Sequence, residues 1–247
     1  HDRVTRLGVW RDGCHEAGDT IMAVLDAALS VLRELGATVL DPVELPGAAE
    51  VSDPEWVSLL HEFKREINGY LRAVPGHAPR SLAELIDFNI HNGPSVLAHF
   101  GQEIFVQAEA TSGDPADPAA LAARAEAGSR AREALDGPLI SRRLDAIITL
   151  TANPASLTDY VLGDNDVFHT SGPSAVAGYP AITVPAGQVS GLPVGLSFLG
   201  PAWSEPALIA LAYAFEQASQ ALSWPSLQAT VPTVVPPTPA GPGEWQG

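Results

Sequence analysis

The apolar positions of this chain fall into short runs alternating with helical stripes. Leu7-Gly8-Val9-Trp10 is a brief apolar run, followed by a polar segment from Arg11 to Gly18. Ile21, Leu25, Ala28, Leu32 and Leu35 then recur at the spacing of one helix face, with Asp19 or Thr20 placed to cap its start and Gly36 its end. Residues 37–40 form a second apolar run, closed by Asp41-Pro42. Strand, helix and strand within about 35 residues make a βαβ unit, whose sterics favour a right-handed crossover and a parallel sheet.

The middle of the chain reads as helical throughout. Trp56, Leu60, Phe63, Ile67 and Leu71 predict a helix over 55–73, stopped by Pro75-Gly76. Ser81-Leu82-Ala83-Glu84 is a capping box and predicts a helix over 82–91. Pro94 suits the first turn of a further helix running toward Ala110, and Asp117-Pro118 opens another that ends near Asp136-Gly137. Strand character returns at 144–150, a short β-branched apolar run. It opens into a long loop, 151–172, rich in Asn, Asp, Ser and Thr. A short helix at 173–179, strands at 181–184 and 194–199 around a Gly/Pro-rich turn, and a helix opened by Ser204 and running through Ala218 complete the pattern. Beyond Trp224 six prolines fall between Pro225 and Pro242, which predicts an extended tail. The expected class is therefore α/β, with one domain over residues 1–222, a helical insertion at about 55–136 and a Pro-rich tail at 223–247.

Composition narrows the possible partners. The 247 residues carry 13 Lys and Arg against 29 Asp and Glu, a formal charge of −16. Such a chain, with Lys64 its single lysine, has no footprint for phosphate backbones, so nucleic acid and anionic membranes are excluded as expected partners. At 46% apolar residues it is too hydrophobic for a solvated acidic polymer, while Gly and Pro break every uncharged stretch well short of a bilayer span. One cysteine, Cys14, forbids an internal disulfide and points toward the cytoplasm. The chain opens on His1 and enters a strand-like run within a few residues, which reads as a piece of something longer.

Most familiar chemistries lack their residues here. There is no G-x-G-x-x-G, P-loop, H-E-x-x-H, EF-hand loop or G-x-S-x-G elbow, and no cofactor is expected. Asp164, Asp166 and His169 could ligate a metal, but a polar loop bonding its own backbone accounts for them, and no metal site is assigned. His169 beside Ser171 or Ser174 could serve a Ser/His hydrolase, though without a recognisable oxyanion donor pair. Lys64 is expected on a solvated helix face. Ligands in open α/β sheets gather at the carboxyl ends of strands, which makes loop 151–172 the best candidate for a pocket.

The informative stretch is Ser171-Gly172-Pro173-Ser174-Ala175-Val176-Ala177-Gly178-Tyr179-Pro180-Ala181-Ile182-Thr183-Val184-Pro185-Ala186-Gly187, then Gly191-Leu192-Pro193-Val194-Gly195-Leu196, then Ser204-Glu205. On its own it describes scaffold: two Gly/Pro turns around a small-residue helix, and a tight turn feeding a strand. It resembles the C-terminal half of an amidase-signature enzyme, most closely the peptide-amidase branch. Leu7-Gly8-Val9-Trp10-Arg11, Glu62-Phe63-Lys64, Arg80-Ser81-Leu82-Ala83-Glu84, Phe100-Gly101-Gln102-Glu103 and Asp145-Ala146-Ile147-Ile148 resemble the family in the same order, so the likeness covers residues 4 to about 222.

The resemblance implies the C-terminal part of a mixed-sheet amidase-signature fold with helices covering the sheet. It also implies a Ser nucleophile, a second Ser in a cis peptide and a Lys base, all in a Gly/Ser-rich segment with no match in this sequence, so no catalytic residue is assigned here. The parent protein is then expected to release ammonia from a small amide or amidated peptide. This chain would supply scaffold and one pocket wall, with Asn153, Asp166, Phe168 and His169 nearest the substrate. A non-catalytic binding module derived from an amidase and a self-contained Ser/His hydrolase stand as alternatives. An isolated half-sheet exposes apolar surface and an edge, so the missing N-terminal half, or self-association, is the expected partner.

Overall fold

In the computed structural model, which describes residues 4–76, 78–163 and 165–224, the apolar runs become a five-stranded sheet. The strands are β1 (Arg6–Val9), β2 (Thr38–Leu40), β3 (Ala146–Leu150), β4 (Ala181–Val189) and β5 (Leu192–Leu199), in the order β2-β1-β3-β5-β4. The crossover through helix α1 (Asp19–Glu34) makes β1 and β2 parallel, as the βαβ pattern requires. β3 is also parallel to β1, with Gly8 opposite Ile147. The β4–β5 hairpin adds to β3 in the antiparallel sense, with Ile148 opposite Phe198, so the sheet is mixed.

Side chains alternate across a strand, and the two faces of β3 belong to different cores. Ala146, Ile148 and Leu150 join Leu7, Val9, Leu196 and Phe198 beneath α1 and the last helix, α8 (Glu205–Ser219), where Leu25, Leu29, Leu208 and Phe215 interdigitate. Ile147 and Leu199 face the other way, onto the long helix α6 (Pro118–Ser141) through Ala131, Ala134, Leu135 and Leu139, and onto Ala177 of α7 (Gly172–Ala177). Helices α2 (Ser52–Ala73), α3 (Leu82–His91), α4 (Gly93–Val96) and α5 (Glu103–Glu109) extend from α6 as the expected helical section. No described helix is long and apolar enough to cross a membrane. The Pro-rich segment beyond Trp224 lies outside the described residues.

Several local expectations give way to tertiary packing. Neither Asp19 nor Thr20 caps α1; Gly18 takes the cap position at φ 75°, a left-handed entry that glycine adopts without strain, and Asp19 sits in the first turn where its charge complements the helix dipole. The helix expected from Pro94 to Ala110 breaks into α4 and α5. Gln102 is tied back to α3, donating to Ile86 O at 3.3 Å and accepting from Asn89 at 3.0 Å, and this tether bends the chain between the two. α6 continues past Gly137 through the buried Pro138, because burying Leu135 and Leu139 against Ile147 outweighs the roughly 3 kcal/mol cost of an interior proline. The hairpin is longer than expected, since its turn is only Ser190-Gly191, both at positive φ. Pro185 is accommodated beside a bulge on the edge strand. Ser204 precedes α8 without making a side-chain cap bond.

Lys64 is the clearest reversal. Rather than facing solvent, its ammonium donates to Glu109 O at 2.6 Å and Thr111 O at 2.8 Å, and pairs with the Glu109 carboxylate at 3.1 Å. Its stem packs on Gly113. The lysine thus ties α2 to the α5–α6 connection. Lys64→Met removes three acceptors' partner from a mostly buried position and is expected to cost about 2 kcal/mol, scaled down from a fully buried pair because Glu109 is one-third exposed. Urea denaturation checks this, and an unchanged midpoint would show that the tie is dispensable.

Candidate functional site

β1 and β3 run parallel, so their carboxyl ends open on the same side of the sheet, and the two loops that leave them meet there. After β1 the chain forms a 3-10 turn, Asp12–Ala17, anchored by Trp10 N–H donating to Ile148 O at 2.9 Å. His15 Nδ1 lies 2.6 Å from Asp12 O within that turn. After β3 the chain makes its long excursion and returns to bridge antiparallel, Ala152 against His169.

Asn153 holds this excursion closed. Its amide group donates to Pro154 O and Asn165 O at 3.0 Å, its carbonyl accepts from Val167 and Phe168 N–H at 3.1 and 3.3 Å, and its own N–H donates to Phe168 O at 3.2 Å. Thr170 adds a buried hydroxyl bond to Leu150 O at 2.8 Å. At the tip Asp159 accepts from Val161 and Leu162 N–H, which hold its carboxyl below the usual range. Tyr160 stacks on His99 with ring centroids 4.2 Å apart.

Where these loops meet lies a cavity of about 530 Å3. Its apolar lining includes Trp10, Leu45, Val51 and Pro173, and its polar lining includes Asp12, His15, Glu50, Glu55 and His169. A second hollow of about 340 Å3 shares Asp12, Gly13, His15 and His169 with it and adds Glu16, Asp166 and Phe168. Of the four residues expected nearest a ligand, Asp166, Phe168 and His169 come together here. Asp166 and His169 are exposed and 3.2 Å apart, whereas Phe168 is 93% buried, with its ring in the core. Asn153 does not line either hollow; its polar atoms are spent within the loop. Asp164 lies outside the described residues, and among those described no group of three His, Cys, Asp or Glu side chains is placed to hold a metal.

The nucleophiles that the sequence singles out are poorly placed for chemistry. The ring of His169 pairs with Asp166 rather than with Ser171 or Ser174, and Ser174 Oγ is buried without a hydrogen-bond partner. Cys14 is buried, and its burial pushes the thiol up, away from the reactive thiolate. Lys64 is committed to the helical section.

Some of the arrangement escaped the sequence reading. His15, Glu50 and Glu55 reach the cavity from segments that carry no motif. A hydroxyl cluster, Thr151, Thr183 and Ser197, links β3, β4 and β5, with Ser197 Oγ 2.8 Å from Thr151 Oγ1 and 3.0 Å from Thr183 Oγ1. A Cβ at Gly195 would come within 2.7 Å of Thr151 and Thr183, so only glycine lets the cluster close. The signal for it was a hydroxyl at matching period-2 positions of two otherwise apolar strands.

Comparison with known proteins gives this geometry its relatives. The Amidase family model matches residues 1–209. A probable amidase of Arabidopsis thaliana is 35% identical over 204 residues, 80% of this chain and 36% of the relative. The native peptide amidase of Stenotrophomonas maltophilia superposes with a TM-score of 0.79 at 39% identity, covering 92% of this chain and 45% of that one. A peptide amidase in complex with the competitive inhibitor chymostatin gives a TM-score of 0.82 at 40% identity, covering 91% and 45%. The chain therefore spans less than half the length of each.

Asn153→Ala should free the Val167 and Phe168 amides and speed their hydrogen exchange by about tenfold or more, while β3 amides exchange as before. Unaltered exchange at both amides would mean that the loop is held by other contacts.

Proposed function

The chain belongs to the amidase family, and on that premise we propose that it is the scaffold and pocket-wall portion of an enzyme that hydrolyses a carboxamide C–N bond and releases ammonia, in the manner of a peptide amidase. The observation that carries the reading is a cavity at the carboxyl ends of β1 and β3 with no competent nucleophile of its own. Amide attack needs an activated hydroxyl and oxyanion donors, each worth about 3–4 kcal/mol in well-studied cases. Within this chain the one lysine is bound to Glu109 and Thr111, and the serine that meets an imidazole, Ser112 with Oγ 3.4 Å from His61 Nδ1, donates to Asp117 and does not line the cavity. The Ser, cis-Ser and Lys machinery is accordingly assigned to sequence upstream of these residues. Asp166 and His169 form the wall that meets the substrate, with Phe168 buried behind them, and Asn153 positions the loop. The outer edge of β4, the last strand of the sheet, is left for the upstream half or for a second copy of the chain.

Ammonia release from an amidated dipeptide and a simple aromatic amide tests this, comparing the 247 residues with a protein extended upstream to the next methionine start. Turnover is expected only in the extended protein. Turnover by the 247 residues alone contradicts the reading and directs attention to His169, Ser171 and Ser174, while binding without turnover in the extended protein marks a non-catalytic module. In an active extended protein, Asp166→Asn and Phe168→Leu are expected to raise KM about threefold to tenfold for at least one amide. Unchanged KM and kcat for both variants on every amide tested would remove this loop from the pocket.

A further inference from the structure

The cavity offers an apolar floor inside a rim of carboxylates and imidazoles. Trp10, Leu45, Val51 and Pro173 supply the floor. The charged side chains around it and around the adjoining hollow are Asp12, Glu16, Glu50, Glu55 and Asp166, with the imidazoles of His15 and His169 between them. Among the described residues, no lysine or arginine lines either hollow. This is a local property, because two other hollows of the same acidic molecule do carry guanidinium groups, Arg65 and Arg124 in one and Arg142 in the other. Arg11, the cation nearest in sequence, is already engaged: it donates to Asp41 at 2.6 and 2.7 Å and to Asp26 at 2.7 Å. A ligand carboxylate entering here would find repulsion and no fork to receive it. An ammonium group would find several carboxylates within a Debye length of about 10 Å at 0.1 M salt.

We propose that this groove takes the part of the amide substrate in which a protonated amine is attached to an apolar body, such as the free amino end of a peptide amide with its first side chain. The inference rests on reading the cavity as substrate wall and adds the chemical class that the wall selects. The apolar body occupies the hollow over Trp10 and Leu45, and the ammonium lies toward Glu50 and Glu55 at the rim. Anionic amides are disfavoured by the same rim.

Three probes that share a phenethyl body separate the possibilities: phenethylamine, 2-phenylethanol and 3-phenylpropionate, titrated into the 247-residue chain while the indole N–H resonance of Trp10 is followed by NMR. The amine is expected to bind about tenfold more tightly than the alcohol at low salt, with the anion weakest, and the preference should shrink to about threefold or less at ~0.5 M salt. Glu50→Gln/Glu55→Gln should reduce it similarly while leaving the affinity for the alcohol unchanged, which also shows that the variant retains its fold. Equal binding of amine and alcohol, or a preference untouched by the double substitution, overturns the charge class and leaves the groove as a neutral apolar pocket. A Trp10 resonance that moves with none of the three overturns the groove as a ligand site, and the inference with it.

Discussion

All five residues of β3 are buried, so the backbone N–H and C=O groups of Ala146–Leu150 must find partners in the sheet itself. They do so on both sides, against parallel β1 and antiparallel β5. This double pairing decides most of what surrounds it. It places the crossover helix α1 and the terminal helix α8 on one face and α6 with α7 on the other, because β3 presents Ile148 and Leu150 to the first pair and Ile147 to the second. It also fixes where the chain must escape: beyond Leu150 the strand ends beside the end of β1, and the only outlet is the long loop that returns at His169.

The candidate site follows from that outlet. Two loops leaving parallel strands on the same side enclose space between them, and the segment from Leu45 to Glu55 closes a third wall. The loop side of the enclosure is braced by its own polar groups, through the Asn153 side chain and the Thr170 hydroxyl. Asp166 and His169 thus stand exposed on a braced frame. The frame supplies shape and charge; on the reading proposed above, the nucleophile and base for amide cleavage come from outside it.

How much of this the sequence disclosed depends on how local each feature is. The βαβ unit, the buried strand at 144–150 and the Ser81–Glu84 capping box rest on neighbours along the chain, and they formed; Ser81 accepts from Glu84 N–H at 3.2 Å, although Glu84 reaches back to Arg80 N–H rather than to Ser81 itself. That Asp166, Phe168 and His169 would lie beside a hollow was legible because the loop following a buried strand is a recurrent place for a pocket. Lys64 was misread because its partners, Glu109 and Thr111, are about 45 residues away, beyond what a helical wheel reports. Glu50, Glu55 and His15 were missed for the same reason. Asn153 was legible as a loop residue of consequence, but its part, holding the loop rather than lining the cavity, became visible only with its hydrogen-bond partners.

The central claim is that the attacking hydroxyl comes from outside these 247 residues while the groove described here receives the substrate. Covalent labelling of the upstream-extended protein with a fluorophosphonate, followed by peptide mass mapping, addresses it directly, since the reagent marks the activated serine itself. The account predicts an adduct on a serine upstream of residue 1 and none on Ser171 or Ser174. An adduct on either of those two serines would contradict it and make this chain the catalytic part.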